Sequence, residues 1–167
     1  MNQRSGVWAV LVGGAIGGTL DILFAISFAA ANGATASRVL QSVASGLLGD
    51  AAFSGGASTA VTGLACHFGL SFLWALIFLA AARSWPAIVR RPLVSGVAFG
   101  VLVFLCMRLL VLPLSAFPRP VTFKPLATVL DLSSHMFLFG FPIAWAASKA
   151  VVRGVAGALE PRPQGSV

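Results

Sequence analysis

Four long apolar stretches, separated by short polar segments, dominate the hydrophobic pattern of this chain. They cover approximately residues 7–31, 57–82, 92–112 and 126–148. A helix needs about 20 predominantly apolar residues to cross the hydrocarbon core of a bilayer, and each stretch is long enough. A cleaved signal peptide is the alternative for the first stretch, but its length and the acidic Asp21 favour a span. The pattern therefore predicts an all-α protein built as a bundle of four transmembrane helices.

Four prolines mark the last two stretches. Pro92 and Pro125 stand at their starts, where a helix accepts proline because the missing N–H would have no helical partner. Pro113 and Pro142 lie at the end of the third stretch and inside the fourth. Because an interior proline removes a backbone hydrogen bond, we predict that Pro113 ends or kinks the third helix and that Pro142 kinks the fourth.

The segment between the first two stretches is too polar to span a bilayer, but it repeats apolar residues at helical spacing. These residues are Val39, Leu40, Val43, Leu47 and Ala51. Such a pattern is typical of an amphipathic helix that lies in the membrane interface. We predict this helix over residues 37–53, with Ser37 as its N-cap and Gly55-Gly56 as the break after it. It serves either as a connector or as a lid over the bundle.

Five charged or histidine side chains interrupt the apolar stretches, all in the half of the bundle nearer the 37–53 segment. They are Asp21, His67, Arg108, Asp131 and His135. At a rise of about 1.5 Å per residue, Asp131 lies about 8 Å deep, and His135 and His67 about 14 to 15 Å. Asp131 and His135 are four residues apart and share one helix face. Because a central charge costs roughly 2.5 to 3.5 kcal/mol to insert, we predict that the five residues form one polar cluster.

Glycine pairs at a spacing of four residues occur in the first and third stretches. They are Gly13 with Gly17, Gly14 with Gly18, and Gly96 with Gly100. Small residues at this spacing allow the backbones of two membrane helices to approach closely. We predict that these glycines are packing positions inside the bundle; for the first two pairs, a contact with a second copy of the chain is the alternative.

Composition supports a membrane protein and argues against nucleic acid as a partner. Of the 167 residues, 58% are hydrophobic and 9% are charged, whereas about a quarter of the residues of a soluble domain are charged. The net charge of +7 comes from basic residues scattered over short loops and tails rather than gathered in one stripe. The partner we expect first is the lipid bilayer, followed by other membrane proteins or a second copy of this chain.

Basic residues at the ends of the predicted spans are unevenly distributed. Seven lie on the side of the two termini: Arg4, Arg83, Arg90, Arg91, Lys149, Arg153 and Arg162. Three lie on the other side: Arg38, Arg119 and Lys124. Because cytoplasmic loops of membrane proteins carry an excess of lysine and arginine, we predict that both termini are cytoplasmic. Residues 1–150 then form the membrane domain, and residues 151–167 form a polar cytoplasmic tail.

The predicted cluster admits three functional interpretations. It is a structural clasp that holds the helices together, or it lines a small pathway for protons or solutes, since carboxylates and histidines form proton relays in membranes. In the third, His67 and His135 are the axial ligands of a haem b in an electron-transfer protein, because they lie on different spans at similar depth. The sequence contains no hydrolase, metalloprotease or phosphate-loop motif, so we predict a non-enzymatic protein, without a cofactor in the first two interpretations.

Several features of residues 60–147 resemble the YagU-type family of uncharacterised bacterial inner-membrane proteins. They are His67, Gly96 and Gly100, Arg108 before Leu-Leu-Val-Leu-Pro113-Leu, the loop Phe117-Pro-Arg-Pro120, and Ser134-His135. The family tends to have histidine at the position of Arg108, so the resemblance implies a shared cation there but no metal or haem ligation. It further implies a multi-pass bundle of similar topology in the bacterial inner membrane, and no particular activity.

Overall fold

Each of the four apolar stretches forms a helix in the computed structural model, which describes residues 3–159 and the side chains of residues 3–151. We number the helices α1 (Gln3–Ala31), α2 (Ala36–Leu48), α3 (Gly56–Ser84), α4 (Pro92–Leu114) and α5 (Pro125–Val151). All but α2 are long and apolar enough to cross a membrane. The described residues contain no strand. The prediction of an all-α fold with four candidate spans is therefore confirmed, and the helices are consistent with a multi-pass membrane protein.

The helix of α5 continues beyond the apolar stretch. Its last segment is Phe141–Leu159, so the first part of the predicted polar tail is helical. Residues 160–167, the rest of the tail, lie outside the described residues.

Helix α1 is packed between α3 on one side and α5 on the other. A Cβ at Gly13 would lie 3.1 Å from Cα of Ile143 in α5. A Cβ at Gly14 would lie 2.5 Å from the Phe72 ring in α3. Gly17 and Gly18 repeat the two contacts one turn further along. The two glycine registers of α1 thus serve two different neighbouring helices of the same chain.

Helix α4 packs along α5 with their backbones in contact. A Cβ at Gly96 would lie 2.6 Å from Cα of Phe141, and one at Gly100 would overlap the carbonyl oxygen of His135. Gly140 faces both glycines from α5. These three glycines therefore fix the distance of His135 from α4.

Two stretches of π-helix precede the internal prolines of α4 and α5. They are Met107–Val111, before Pro113, and Ser134–Gly140, before Pro142. Proline cannot donate to the regular helical ladder, and wider turns accommodate the mismatch. The N–H of Phe141, for example, donates to the carbonyl of Met136, five residues earlier. Both stretches contain residues of the predicted cluster, so the irregular turns decide where these side chains point.

Helix α2 begins earlier than the sequence pattern predicted. Its N-cap is Thr35, whose hydroxyl oxygen accepts a hydrogen bond from the N–H of Arg38 at 3.2 Å. The prediction of Ser37 as N-cap is wrong because the extended backbone that a cap requires occurs at Thr35. After α2 the chain forms the 3₁₀ turn Gly49–Phe53, and α3 follows from Gly56. We call the end of the bundle that carries α2 the α2 end.

The face of α2 that meets the bundle consists of small and polar residues. Gln41, Ala44 and Ser45 are buried, whereas Leu47 is 68% exposed. The backbone of α2 touches Gly63 of α3 so closely that a Cβ there would overlap the carbonyl of Leu40. The contact is therefore made by the backbone of Leu40 and Ala44 against Gly63, whose missing side chain permits the close approach. Leu47 faces outward, as expected of a helix that lies against lipid.

Candidate polar site between the spans

A single cavity of about 340 Å³ brings together all five residues of the predicted polar cluster. Asp21 comes from α1, His67 from α3, Arg108 from α4, and Asp131 and His135 from α5. The remaining lining is apolar and consists of Val43, Leu70, Phe104, Met107 and Leu112. Because Val43 belongs to α2, this helix forms part of the cavity roof. Four spans and α2 therefore build one polar site near the α2 end.

Arg108 and Asp131 form the ion pair of this site and connect α4 to α5. Nη2 of Arg108 donates to Oδ2 of Asp131 at 3.0 Å, and the two side chains are 20% and 35% exposed. Nη1 of Arg108 also donates to the carbonyl of Thr122 at 3.3 Å. The guanidinium lies 5.6 Å from the ring centroids of Phe104 and of Phe123. The cation is thus held by a carboxylate, a carbonyl and two aromatic rings.

His135 stands between the two carboxylates. Its Nδ1 lies 2.9 Å from the backbone oxygen of Asp131 and 3.2 Å from Oδ1 of the same residue. Oδ1 of Asp21 is 3.9 Å away. Because a carbonyl oxygen only accepts hydrogen bonds, Nδ1 carries a hydrogen. The other ring nitrogen, Nε2, is therefore the one that gains or loses a proton.

Among the described residues, no permanent cation forms an ion pair with Asp21. Its Oδ1 accepts a hydrogen bond of 2.8 Å from the hydroxyl of Ser134, and its side chain is 16% exposed. Within the described part of the chain its ion-pair contact is with His135, which is charged only when protonated. Asp21 is thus the carboxylate whose ion-pair partner, His135, is charged only when it is protonated.

Charge in the cavity is unbalanced. Two carboxylates, Asp21 and Asp131, face one guanidinium, Arg108, so one negative charge is in excess while both histidines are neutral. An unbalanced charge is costly in an apolar surrounding. Protonation of His135, or a bound monovalent cation, restores neutrality.

His67 has a different role from His135. Its Nε2 lies 2.8 Å from the carbonyl oxygen of Gly18 and must donate to it, so this hydrogen bond joins α3 to α1. One turn further, the hydroxyl of Ser71 donates to the carbonyl of Gly14 at 2.6 Å. A haem ligated by His67 through Nε2 would have to displace the bond to Gly18. Among the described residues no group of three or more histidine, cysteine or acidic side chains is placed to hold a metal ion.

Ser134 is a member of the site that helical spacing did not identify. It is 2% exposed and directs its hydroxyl at Asp21. Ser134 and His135, at the start of the π-helical stretch 134–140, both approach Asp21 of α1. The feature of the sequence that pointed to Ser134 was its position beside His135 in an apolar stretch.

Apolar side chains fill the bundle on the side of the cavity away from α2. The ring of Phe139 lies 6.1 Å from the ring of His135, one turn further along α5. Phe139 packs with Val103 and Ile143, which are 1% exposed, in the main hydrophobic core. The polar site therefore ends at a packed apolar layer.

Comparisons of this chain with protein-family models, curated proteins and solved structures give no match. The resemblance to YagU-type proteins therefore stays a prediction. Arguments on function rest on the geometry of the polar site and on the charge pattern of the sequence.

Proposed function

We propose that this chain is a non-enzymatic protein of the bacterial inner membrane, with both termini cytoplasmic. Its polar cluster is an outward-facing binding site on a pathway for protons or small cationic solutes. The observation that carries the proposal is the charge imbalance: two carboxylates and one guanidinium share a cavity with a histidine able to take up a proton. A cluster that served only as a clasp would gain from equal numbers of opposite charges.

Proton uptake at His135 is the central step of this proposal. The ionisable groups that face it are Asp21 from α1, His67 from α3, Arg108 from α4 and Asp131 from α5. Helix α2 contributes apolar Val43 to the same cavity. With His135 protonated the cluster is neutral, and with His135 neutral it attracts a cation. Such alternation couples the occupancy of the site to pH.

Movement of a solute through the bundle requires the apolar layer around Phe139 to open. The π-turns Met107–Val111 and Ser134–Gly140 lie at the level of the cavity, and π-turns frequently accompany functional sites. We propose that α4 and α5 rearrange at these turns. The excess of basic residues at the opposite end of the bundle supports a cytoplasmic location for that end. The binding site, at the α2 end, then faces outward.

Proton or cation flux in proteoliposomes tests the pathway. The protein is reconstituted with a pH-sensitive dye inside, and pH and cation gradients are imposed in turn. We expect flux from the parent protein and its loss in Asp21→Asn and in His135→Ala. The matched control is Asp50→Asn, since Asp50 is exposed in the turn after α2 and lies outside the cavity. Absence of flux from the folded parent protein under every gradient would rule the pathway out.

A structural clasp is the second candidate function, and the 3.0 Å ion pair between Arg108 and Asp131 favours it. The pair joins two helices that meet over long lengths, so it could set their register. The clasp and the pathway are not exclusive: Arg108 and Asp131 can hold the helices while Asp21 and His135 bind the ligand. The electron-transfer alternative lacks comparable support, because Nε2 of His67 is already bonded to Gly18.

A further inference from the structure

An apolar groove adjoins the polar cavity. It has a volume of about 520 Å³ and is formed by α2, α3, α4 and the loop that follows α4. Four residues line both the groove and the polar cavity: Val43, Leu70, Met107 and Leu112. A molecule with one charged end and one hydrocarbon end could therefore occupy both spaces at once.

We propose that the site binds amphipathic organic cations, with the cationic head beside Asp21 and the hydrocarbon tail in this groove. The inference rests on the proposed function and specifies its ligand class. The inference is based on the position of the two spaces: a polar cavity that lacks one positive charge lies directly beside a groove lined with hydrocarbon.

Charge selects the sign of the head group. An anionic head would meet two carboxylates in the cavity, where Arg108 is already paired with Asp131 at 3.0 Å. A cationic head would meet Asp21, which has the hydroxyl of Ser134 and a histidine as its neighbours. Opposite charges attract strongly where little water screens them. The site thus favours a monovalent cation such as a substituted ammonium group.

The groove suits a flexible hydrocarbon chain. Its walls are largely aliphatic, and Met107 adapts its shape readily to different chains. At Gly69 on the α3 wall, an added Cβ would meet no atom within 4 Å. A tail in this space stays in apolar surroundings while the head reaches the cavity, so the ligand need not leave the membrane to bind.

The groove is a fixed part of the fold, because α2 is fastened on two sides. Its backbone packs on Gly63 of α3, and the N–H of Ala116 donates to the carbonyl of Gly46 at 2.9 Å. Gln41 adds a hydrogen bond of 3.0 Å to the carbonyl of Gly56. Helix α2 therefore holds one wall of the groove against α3 and against the loop after α4.

Binding of probes with and without a tail tests the proposal. The full-length protein in lipid nanodiscs is titrated calorimetrically with dodecyltrimethylammonium, tetramethylammonium and dodecyl sulfate, and empty nanodiscs supply the background. We expect dodecyltrimethylammonium to bind at least roughly tenfold more tightly than either other probe. Tetramethylammonium lacks the tail contact, and dodecyl sulfate lacks the contact of a cationic head. Equal binding of dodecyl sulfate would mean that the groove holds any lipid chain, and would overturn the proposal.

Variants separate the head contact from the tail contact. Asp21→Asn should weaken both ammonium probes, whereas Gly69→Leu, which fills the groove, should weaken the dodecyl probe alone. Ala65→Leu is the matched control, since Ala65 is exposed on α3 and does not line the groove. Val111→Phe on the opposite wall provides a second test of the tail should Gly69→Leu fail to fold.

The outcomes distinguish this inference from the proposed function. If Asp21→Asn weakens tetramethylammonium but neither groove variant affects the dodecyl probe, the tail contact is wrong and the cation site stands. If Asp21→Asn changes the binding of neither ammonium probe and flux is also absent, both proposals fail. Selective loss of the dodecyl probe in the groove variants supports the inference.

Discussion

Among the described residues that line the cavity, Arg108 is the only permanent cation, so its removal leaves Asp131 without a partner that is always charged. We predict that Arg108→Leu lowers the unfolding free energy by about 2 kcal/mol. This is less than the cost of breaking a fully buried ion pair, because both side chains are partly exposed. Thermal unfolding in mild detergent measures the change. Arg90→Leu, in the exposed loop between α3 and α4, is the control and should leave the melting temperature unchanged.

A second substitution shows whether charge is the cause. In Arg108→Leu combined with Asp131→Leu the isolated carboxylate is gone, so part of the lost stability should return. An unchanged melting temperature in the single variant would mean that Arg108 does not clasp α4 to α5. The flux assay remains informative in that case, because it depends on Asp21 and His135.

Residue by residue, the sequence predicted which polar groups share a depth but not which atoms they contact. Helical rise and the cost of isolated charges were enough to place Asp21, His67, Arg108, Asp131 and His135 in one layer. The contact between Ser134 and Asp21 and the hydrogen bond of His67 to Gly18 both depend on how closely α1 approaches its neighbouring helices. Neither contact is encoded in a local pattern.

At the scale of helices, glycine determines how closely α4 and α5 approach. A methyl group at Gly100 would overlap the carbonyl of His135, so Gly100→Ala should separate the helices and cost about 1 to 3 kcal/mol of stability, as overpacking does. At Gly69 the added methyl would meet open space. Gly69→Ala should therefore be neutral or stabilising by up to about 1 kcal/mol, because alanine is the better helix former.

Opposite effects of these two alanine substitutions would show that contact, and not helix propensity, matters at Gly100. Melting temperatures of the two variants in one detergent give the comparison. Equal destabilisation at both positions would contradict the close approach of α4 to α5. Because Gly100 borders His135, flux or ligand binding should also change in Gly100→Ala, whereas Gly69→Ala should leave the binding of tetramethylammonium unaffected.

Helix α2 shows where a pattern succeeds and where it fails. Its existence followed from apolar residues at helical spacing, and the structure confirms a helix close to the predicted position. The face that packs was not predicted, because apolar periodicity identifies a face that avoids water without saying whether protein or lipid covers it. In a membrane, lipid and the protein interior are equally apolar, so hydrophobicity does not distinguish them. Small buried residues such as Ala44 and Ser45 identify the face that packs on the protein.

At the scale of the whole molecule, polar and apolar layers divide the bundle. The cavity and groove lie near the α2 end, whereas Phe139, Val103 and Ile143 pack in the apolar layer beyond them. This division fits the proposed site, which would load from one side of the membrane. The side from which the proposed site would load depends on the orientation of the chain.

Orientation can be tested with reporters at the two ends of the bundle. A reporter active only in the cytoplasm should be active when fused after Trp85 and inactive when fused after Pro120, and a reporter active only outside should behave in the opposite way. The physical reason is the excess of basic residues in the loop that contains Arg83, Arg90 and Arg91. Replacing these three arginines by glutamine should produce a mixed orientation, since it leaves four basic residues on that side against three on the other. An external signal after Trp85 in the parent chain would turn the cavity towards the cytoplasm, and the ligand would then load from inside the cell.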